Sequence, residues 1–278
     1  MSGDRRILLA RPDLADERLE GLVRAERFAS VQALRCVTPT AGIVRTPDDE
    51  AEREDELLFG EGFDALEISG GWAWGKARRD GYVGFVRADA LGAAGEAPTH
   101  RVRALRTCGF ARPDLKSKVV ALISMNSLIH AGERHGGYVD SGEAGWIFEA
   151  HLSPIGVFET DPAEVAERYL GSPYLWGGRS SLGLDCSGLV LSSLQAVGRA
   201  CPRDTDQQLA FFSDAGNRGA LQRGDLVFWK GHTGMMLDGE RLLHANAHHM
   251  AVAIEPVDQA ISRIRENQGL EPVGFRRP

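Results

Sequence analysis

The chain has 278 residues, 43% of them hydrophobic, enough to bury several cores and to fold as two or three domains. Its formal net charge of −7 lacks the basic footprint of a nucleic-acid binder, and no apolar run reaches the roughly 18 residues of a membrane span. Four cysteines (Cys36, Cys108, Cys186 and Cys201), none in a C-x-x-C pair, form neither a disulfide framework nor a zinc site, which points to a reducing cytoplasm.

Residues 1–30 read as a helical or loose leader with charge on most faces. Their apolar ILLA is too short for an export signal, and Pro12 and several acids follow it at once. From 31 to 157, short apolar runs broken by glycines and charges predict small strands. Within them GFVRADAL (84–91) aligns without gaps onto GWIFEAHL (145–152). An offset of one small barrel predicts two tandem β-barrels, at 31–92 and 93–157.

Beyond Pro154 the pattern changes. DPAEVAERYLG predicts a helix capped by Asp161, with Pro162 at its first position and Gly171 at its end. PYLWGGRSSLGLDCSG follows, and then SGLVLSSLQAVG, whose Leu189, Val190, Leu194 and Val197 recur at helical spacing. Cys186 therefore falls at the cap or first turn of a buried helix. DLVFW, TGMML, RLLHA and MAVAIEPV then read as consecutive strands, and helix followed by strands predicts an α+β domain over 158–278.

A thiol is a weak nucleophile until it ionises, with a free pKa of about 8.5. The helix N-terminus and a nearby imidazolium both favour thiolate, and the unpaired N–H groups around Cys186 and Ser187 suit an oxyanion. His232 in GHTGMML is the expected base and His244 in LLHANAHH its orienting partner, with His248 and His249 close behind. Antiparallel partners share a constant sum of residue numbers. An odd loop such as 237–239 sets His232 directly opposite His244, whereas a two-residue Asp238-Gly239 turn puts them on opposite faces. An odd loop or a bulge is therefore expected.

Residues from about 160 onward resemble the NlpC/P60 family of cell-wall cysteine peptidases, through GSPYLWGG, LDCSGLV, PRDTDQQ, RGDLVFW, HTGMML and LLHA in that order. The resemblance implies a papain-like α+β fold. It makes Cys186 the nucleophile, His232 the base and His244 the third residue. The reaction it implies needs no metal or cofactor and cleaves the bond between γ-D-glutamate and a diamino acid in peptidoglycan stem peptides. Tyr174, Trp176, Asp185, Ser187, Arg203, Asp204 and Thr205 are the positions implied for the peptide site. The strand-rich region resembles two bacterial SH3-type domains, through LLFGE (57–61) and DGYVGFV (80–86). In relatives of this layout the first such domain holds the free amine of an L-alanyl terminus, which would fall to Glu61 and Tyr82 here. The expected substrate is then a small free muropeptide in cell-wall recycling, with neither nucleic acid nor membrane as partner. Two alternatives are an exported hydrolase of intact wall and an inert peptidoglycan-binding protein.

Overall fold

Residues 3–278 are described by the computed structural model, and they divide between Ile155 and Gly156 into two units. In the first unit, a seven-stranded antiparallel sheet runs in the order 53–58, 40–44, 83–87, 72–77, 62–69, 32–36 and 91–93. Strand-alternating Leu34, Cys36, Ile43, Leu57, Phe63, Ala73 and Val86 fill its interior together with Tyr82. A second β-body over 100–154 closes on Val102, Ile123, Ile129, Val139, Ile147 and Leu152. Phe59 belongs to this second core although it follows directly on a strand of the first sheet. Its carbonyl accepts the Leu128 N–H at 2.8 Å, and a Cβ at the next residue, Gly60 (φ +79°), would sit 2.0 Å from the Leu128 oxygen. Glycine is what lets the two β-bodies meet there.

The internal repeat is structural. Strand 83–87, a 3₁₀ turn at 88–90 and strand 91–93 correspond to strand 146–148, a 3₁₀ turn at 149–151 and strand 152–154. In each copy the closing strand pairs antiparallel with the opening one, Cys36 with Leu91 and Val102 with Leu152.

The leader departs from expectation. Among the described residues up to 30 there is no α-helix. Two-residue strands, Ala15–Asp16 and Phe28–Ala29, pair in parallel around a 3₁₀ turn, and Leu9 and Leu14 pack on Leu66, Trp74 and Val83 of the first sheet. Pro12 and Gly21 (φ +80°) interrupt any helical run, and burying two leucines against a preformed sheet holds the segment instead.

The second unit is α+β. Helix α1 (Pro162–Glu167) starts as the sequence predicts, with the Asp161 carboxylate accepting the Ala163 N–H at 2.9 Å. Helix α2 (Cys186–Ala196) and the short α3 (Thr205–Phe211) precede the strands. A six-stranded antiparallel sheet follows, in the order 213–214, 274–277, 226–229, 232–236, 241–246 and 251–256. Helix α4 (Val257–Gln268) covers one face, burying Val257, Ala260 and Ile264 on Val227, Trp229, Met236 and Leu242. The alternate residues Leu226, Phe228, Met235 and Leu243 are also fully buried, and α2, buried along almost its whole length, packs on the central strands. No described helix is long and apolar enough to cross a membrane.

Candidate active site

Cys186 is the first residue of α2, and the chain has to be held tightly to put it there. Asp185 is the N-cap, and its Oδ1 accepts the Gly188 N–H at 2.7 Å. Its Oδ2 accepts the Gly177 N–H at 2.9 Å, which ties the aromatic turn before the helix to the helix start. A Cβ at Gly188 would lie 2.3 Å from the Gly178 carbonyl oxygen, so only a bare backbone lets that turn rest on the first turn of α2. Arg203 completes the arrangement, with Nη1 donating to Asp185 Oδ1 at 3.0 Å and to Ser187 Oγ at 2.8 Å, and Nη2 to Asp185 Oδ2 at 2.7 Å. Asp185, Ser187 and Arg203, expected as walls of the peptide site, are all buried and hydrogen-bonded to one another, with Asp185 also accepting from the Gly177 and Gly188 backbone.

The thiol does not behave as its position at a helix N-terminus suggests. Burial and the Asp185 charge push Cys186 up to about 12, against the opposing pull of the Thr233 and Ser187 backbone N–H groups and of Arg203. Cys186 is 4% exposed, and losing water costs a thiolate more than a helix terminus of about half a unit charge returns. The resting thiol is protonated, so it needs a base at the moment of attack rather than a preformed ion pair.

The expected base lies on a strand that packs against α2. His232 opens the strand that ends at Met236, and the next residue, Thr233, directs its backbone N–H at the Cys186 sulfur. Burial lowers the His232 imidazole to about 3, helped by His244 and Arg263 and opposed by Glu255, so the ring is neutral at pH 7. Its Nε2 lies 2.8 Å from His244 Nδ1. His244 is fully buried, also lowered by burial despite its contact with Glu255, and its Nε2 lies 2.7 Å from Glu255 Oε1. Arg263 of α4 donates to the same Glu255 oxygen. Burial raises the Glu255 carboxyl, but His244 and Arg263 outweigh it and bring it down to about 2.

The hairpin behind this pair is odd, as expected, but centred one residue later. Met235 pairs with Leu243 and Met236 with Leu242, and Leu237 N–H bonds Arg241 C=O at 2.8 Å, leaving a three-residue loop at 238–240. Asp238 caps it, its Oδ1 accepting from the N–H groups of Glu240 and Arg241. This register puts His244 opposite Gly234, not His232, so the imidazoles share a face and meet on the diagonal. Gly234 makes that diagonal possible, because a Cβ there would lie 2.9 Å from the His244 Cβ and 2.8 Å from Leu242 Cδ1. Gly234→Ala is therefore expected to push His244 away from His232. It should lower kcat about tenfold and stability by about 1–3 kcal/mol, measured by steady-state turnover and thermal melting.

The remaining candidates fall as follows. Tyr174 is half-buried, and burial followed by the charges of Cys186 and Asp185 raises its phenol. Trp176 is 53% exposed. Asp204 N-caps α3 in a reciprocal capping box with Gln207, and Thr205 is the first residue of that helix. His248 is exposed, and His249 turns both its backbone N–H and its Nδ1 to Asn246 Oδ1, so neither joins the imidazole pair. In the first unit, Glu61 is buried, its Oε2 accepting the Leu58 N–H at 2.8 Å and its Oε1 2.9 Å from Arg79 Nε. Tyr82 is 2% exposed in the core of the first sheet. Glu255 and Arg263 are not singled out by the sequence. They lie on a strand and helix whose pairing has no turn signal, and the sole clue is an acid and a base eight residues apart.

Comparison with known proteins accords with this geometry. Residues 171–268 match the NlpC/P60 family, and residues 43–91 match the bacterial dipeptidyl-peptidase SH3 domain. Dipeptidyl-peptidase 6 of Lysinibacillus sphaericus is 26% identical over 244 residues, covering 79% of this chain and 89% of that protein. Gamma-D-glutamyl-L-lysine dipeptidyl-peptidase of Bacillus subtilis is 36% identical over 104 residues, about a third of either chain. The crystal structure of an NlpC/P60 family protein from Bacillus cereus superimposes with a TM-score of 0.76 at 19% identity, over 88% of this chain and 99% of that one, and shares its fold. The chain carries an NlpC/P60 cysteine peptidase domain behind an N-terminal SH3 domain.

Proposed function

We propose that the protein is a cysteine endopeptidase that hydrolyses the γ-D-glutamyl–diamino acid bond of free L-Ala-γ-D-Glu-diaminopimelate peptides, in the cytoplasm. The observation that carries the reading is a buried thiol at the start of α2, followed on the adjacent strand by a neutral imidazole bonded at 2.8 Å to a second one. The names of two relatives, dipeptidyl-peptidase 6 and gamma-D-glutamyl-L-lysine dipeptidyl-peptidase, support the substrate class.

In this mechanism His232 Nδ1 takes the Cys186 proton as the sulfur attacks the γ-carbonyl carbon. The tetrahedral oxyanion is met by backbone N–H groups at the start of α2, where four donors lack intrahelical acceptors. The imidazolium then gives its proton to the departing amine of the diamino acid, leaving a thioester on Cys186. Water, deprotonated by the same nitrogen, releases the L-alanyl-γ-D-glutamyl half and restores the thiol. Tyr174 and Trp176 line the approach to the sulfur.

Selection for a free amine is the second part of the proposal. A buried ammonium needs carboxylate partners. Asp204, at the start of α3, is assigned that task. The test compares the free tripeptide, its N-acetylated form and intact sacculi. Turnover of the first alone is expected, with acetylation lowering kcat/KM at least 100-fold. Equal turnover of the acetylated peptide or release from sacculi would replace this reading with that of a wall hydrolase.

A further inference from the structure

Beyond the thiol and the two imidazoles, the hydrogen-bond chain continues to two residues that the reaction above leaves unused. We propose that Glu255, anchored by Arg263, is a positioning residue that fixes the tautomer of both imidazoles and so leaves His232 Nδ1 as the unprotonated base. The inference rests on the peptidase reading of this site and deepens it.

A guanidinium has N–H donors and no acceptor. Arg263 donates to Glu255 Oε1, and His244 Nε2 lies 2.7 Å from the same oxygen. An oxygen already accepting from Arg263 is an acceptor toward His244 too, so the proton of that contact sits on His244 Nε2. His244 is neutral, since burial lowers it, and its Nδ1 is then a lone pair. His232 Nε2, 2.8 Å away, must therefore carry the proton it donates to that lone pair. A neutral His232 protonated on Nε2 has its lone pair on Nδ1, and Nδ1 makes no hydrogen bond among the described residues.

The charged groups facing the pair come from every element around it: Glu255 on its strand, Arg263 on α4 and His249 on the loop after His244. Glu255 is the one acid among them. Without its acceptor the chain can run backwards. His244 would then donate from Nδ1 to His232 Nε2, and His232 would present an N–H from Nδ1, which cannot take the thiol proton. When His232 does take that proton, the Glu255 carboxylate also offsets the new positive charge through His244, as the acidic member of a catalytic triad does.

Both Arg263 and His244 reach the same oxygen, which sets a conservative variant apart from a disruptive one. Glu255→Gln can keep a carbonyl oxygen at that position, held there by Arg263, and so preserve the tautomers while losing the charge. Glu255→Leu removes the acceptor. Long-range ¹H–¹⁵N correlation spectra of the full chain labelled in its histidines are expected to show Nε2–H on both His232 and His244. Glu255→Leu should lose about 100-fold in kcat with KM changed less than about twofold, comparable to losing an outer-sphere histidine partner, and Nδ1–H should appear on at least one of the two rings. Glu255→Gln should lose about tenfold and keep the Nε2–H pattern. An Nδ1–H tautomer in the unaltered protein overturns the inference even if the leucine variant fails to fold, and so do equal losses in Gln and Leu. The spectra need no substrate, so a protein that turns over no muropeptide would end the peptidase reading while leaving the tautomer assignment to stand or fall separately.

Discussion

Cys186→Ala is expected to remove hydrolysis of L-Ala-γ-D-Glu-diaminopimelate, with kcat falling by about 10⁵-fold or more, as when the nucleophile of a triad is deleted. Chromatographic release of L-Ala-γ-D-Glu over hours is the measurement. The loss is chemical and not structural. Alanine is the best helix former, the Asp185 cap bonds the Gly188 backbone and not the cysteine, and removing one sulfur from a site 4% exposed leaves a cavity smaller than a methionine or leucine truncation would. The melting temperature should therefore stay within a few degrees of the unaltered protein. Cys186→Ser is expected to be nearly as inactive. A hydroxyl is far harder to deprotonate than a thiol, and a His232 lowered to about 3 is too weak a base to make up the difference. Retained turnover in the alanine variant would move the chemistry elsewhere.

What the sequence carries and what it withholds can be traced to particular residues. The start of α2 is legible because its signals are local: Asp185 reaches the backbone three residues away, and Gly188 is dictated by the turn lying on it. The face shared by His232 and His244 is legible through parity, but its centre is not. Asp238-Gly239 reads as a two-residue turn until the Asp238 carboxylate is seen to satisfy the N–H groups of both Glu240 and Arg241, which extends the loop to three. The thiol's protonation is not legible at all. A helix terminus can be read from a cap, but desolvation depends on what packs over the sulfur from a strand nearly fifty residues later, and it wins. Glu255 and Arg263 are invisible for the same reason, since their value comes from a register and a helix docking that no local pattern encodes. The leader errs in the opposite direction. Its charges suggest solvent on every face, while two leucines, Leu9 and Leu14, are enough to seat it on the first sheet.

Arg203→Leu should be the most destabilising single change in the second unit. The guanidinium is 1% exposed and makes two bonds to Asp185 and one to Ser187. Leucine fills much of the volume, but it strands the Asp185 carboxylate in the interior with backbone N–H groups and one hydroxyl as its remaining partners. Breaking a buried ion pair by removing one side costs about 3–5 kcal/mol, more than the pair itself contributes over an apolar replacement of both. For a unit of this size that corresponds to a fall of roughly 10–20 °C in melting temperature, read by circular dichroism. Arg203→Lys keeps the charge but not the planar fork that meets both carboxylate oxygens, so it should fall between the two. Because Asp185 is also the cap that sets the first turn of α2, its loss of alignment should reach the sulfur before the unit unfolds, and kcat should drop at temperatures where the circular dichroism is still native. A melting temperature within about 3 °C of the unaltered protein would mean that Asp185 finds water or another donor there, and that the pair beneath Cys186 is not what holds the nucleophile in place.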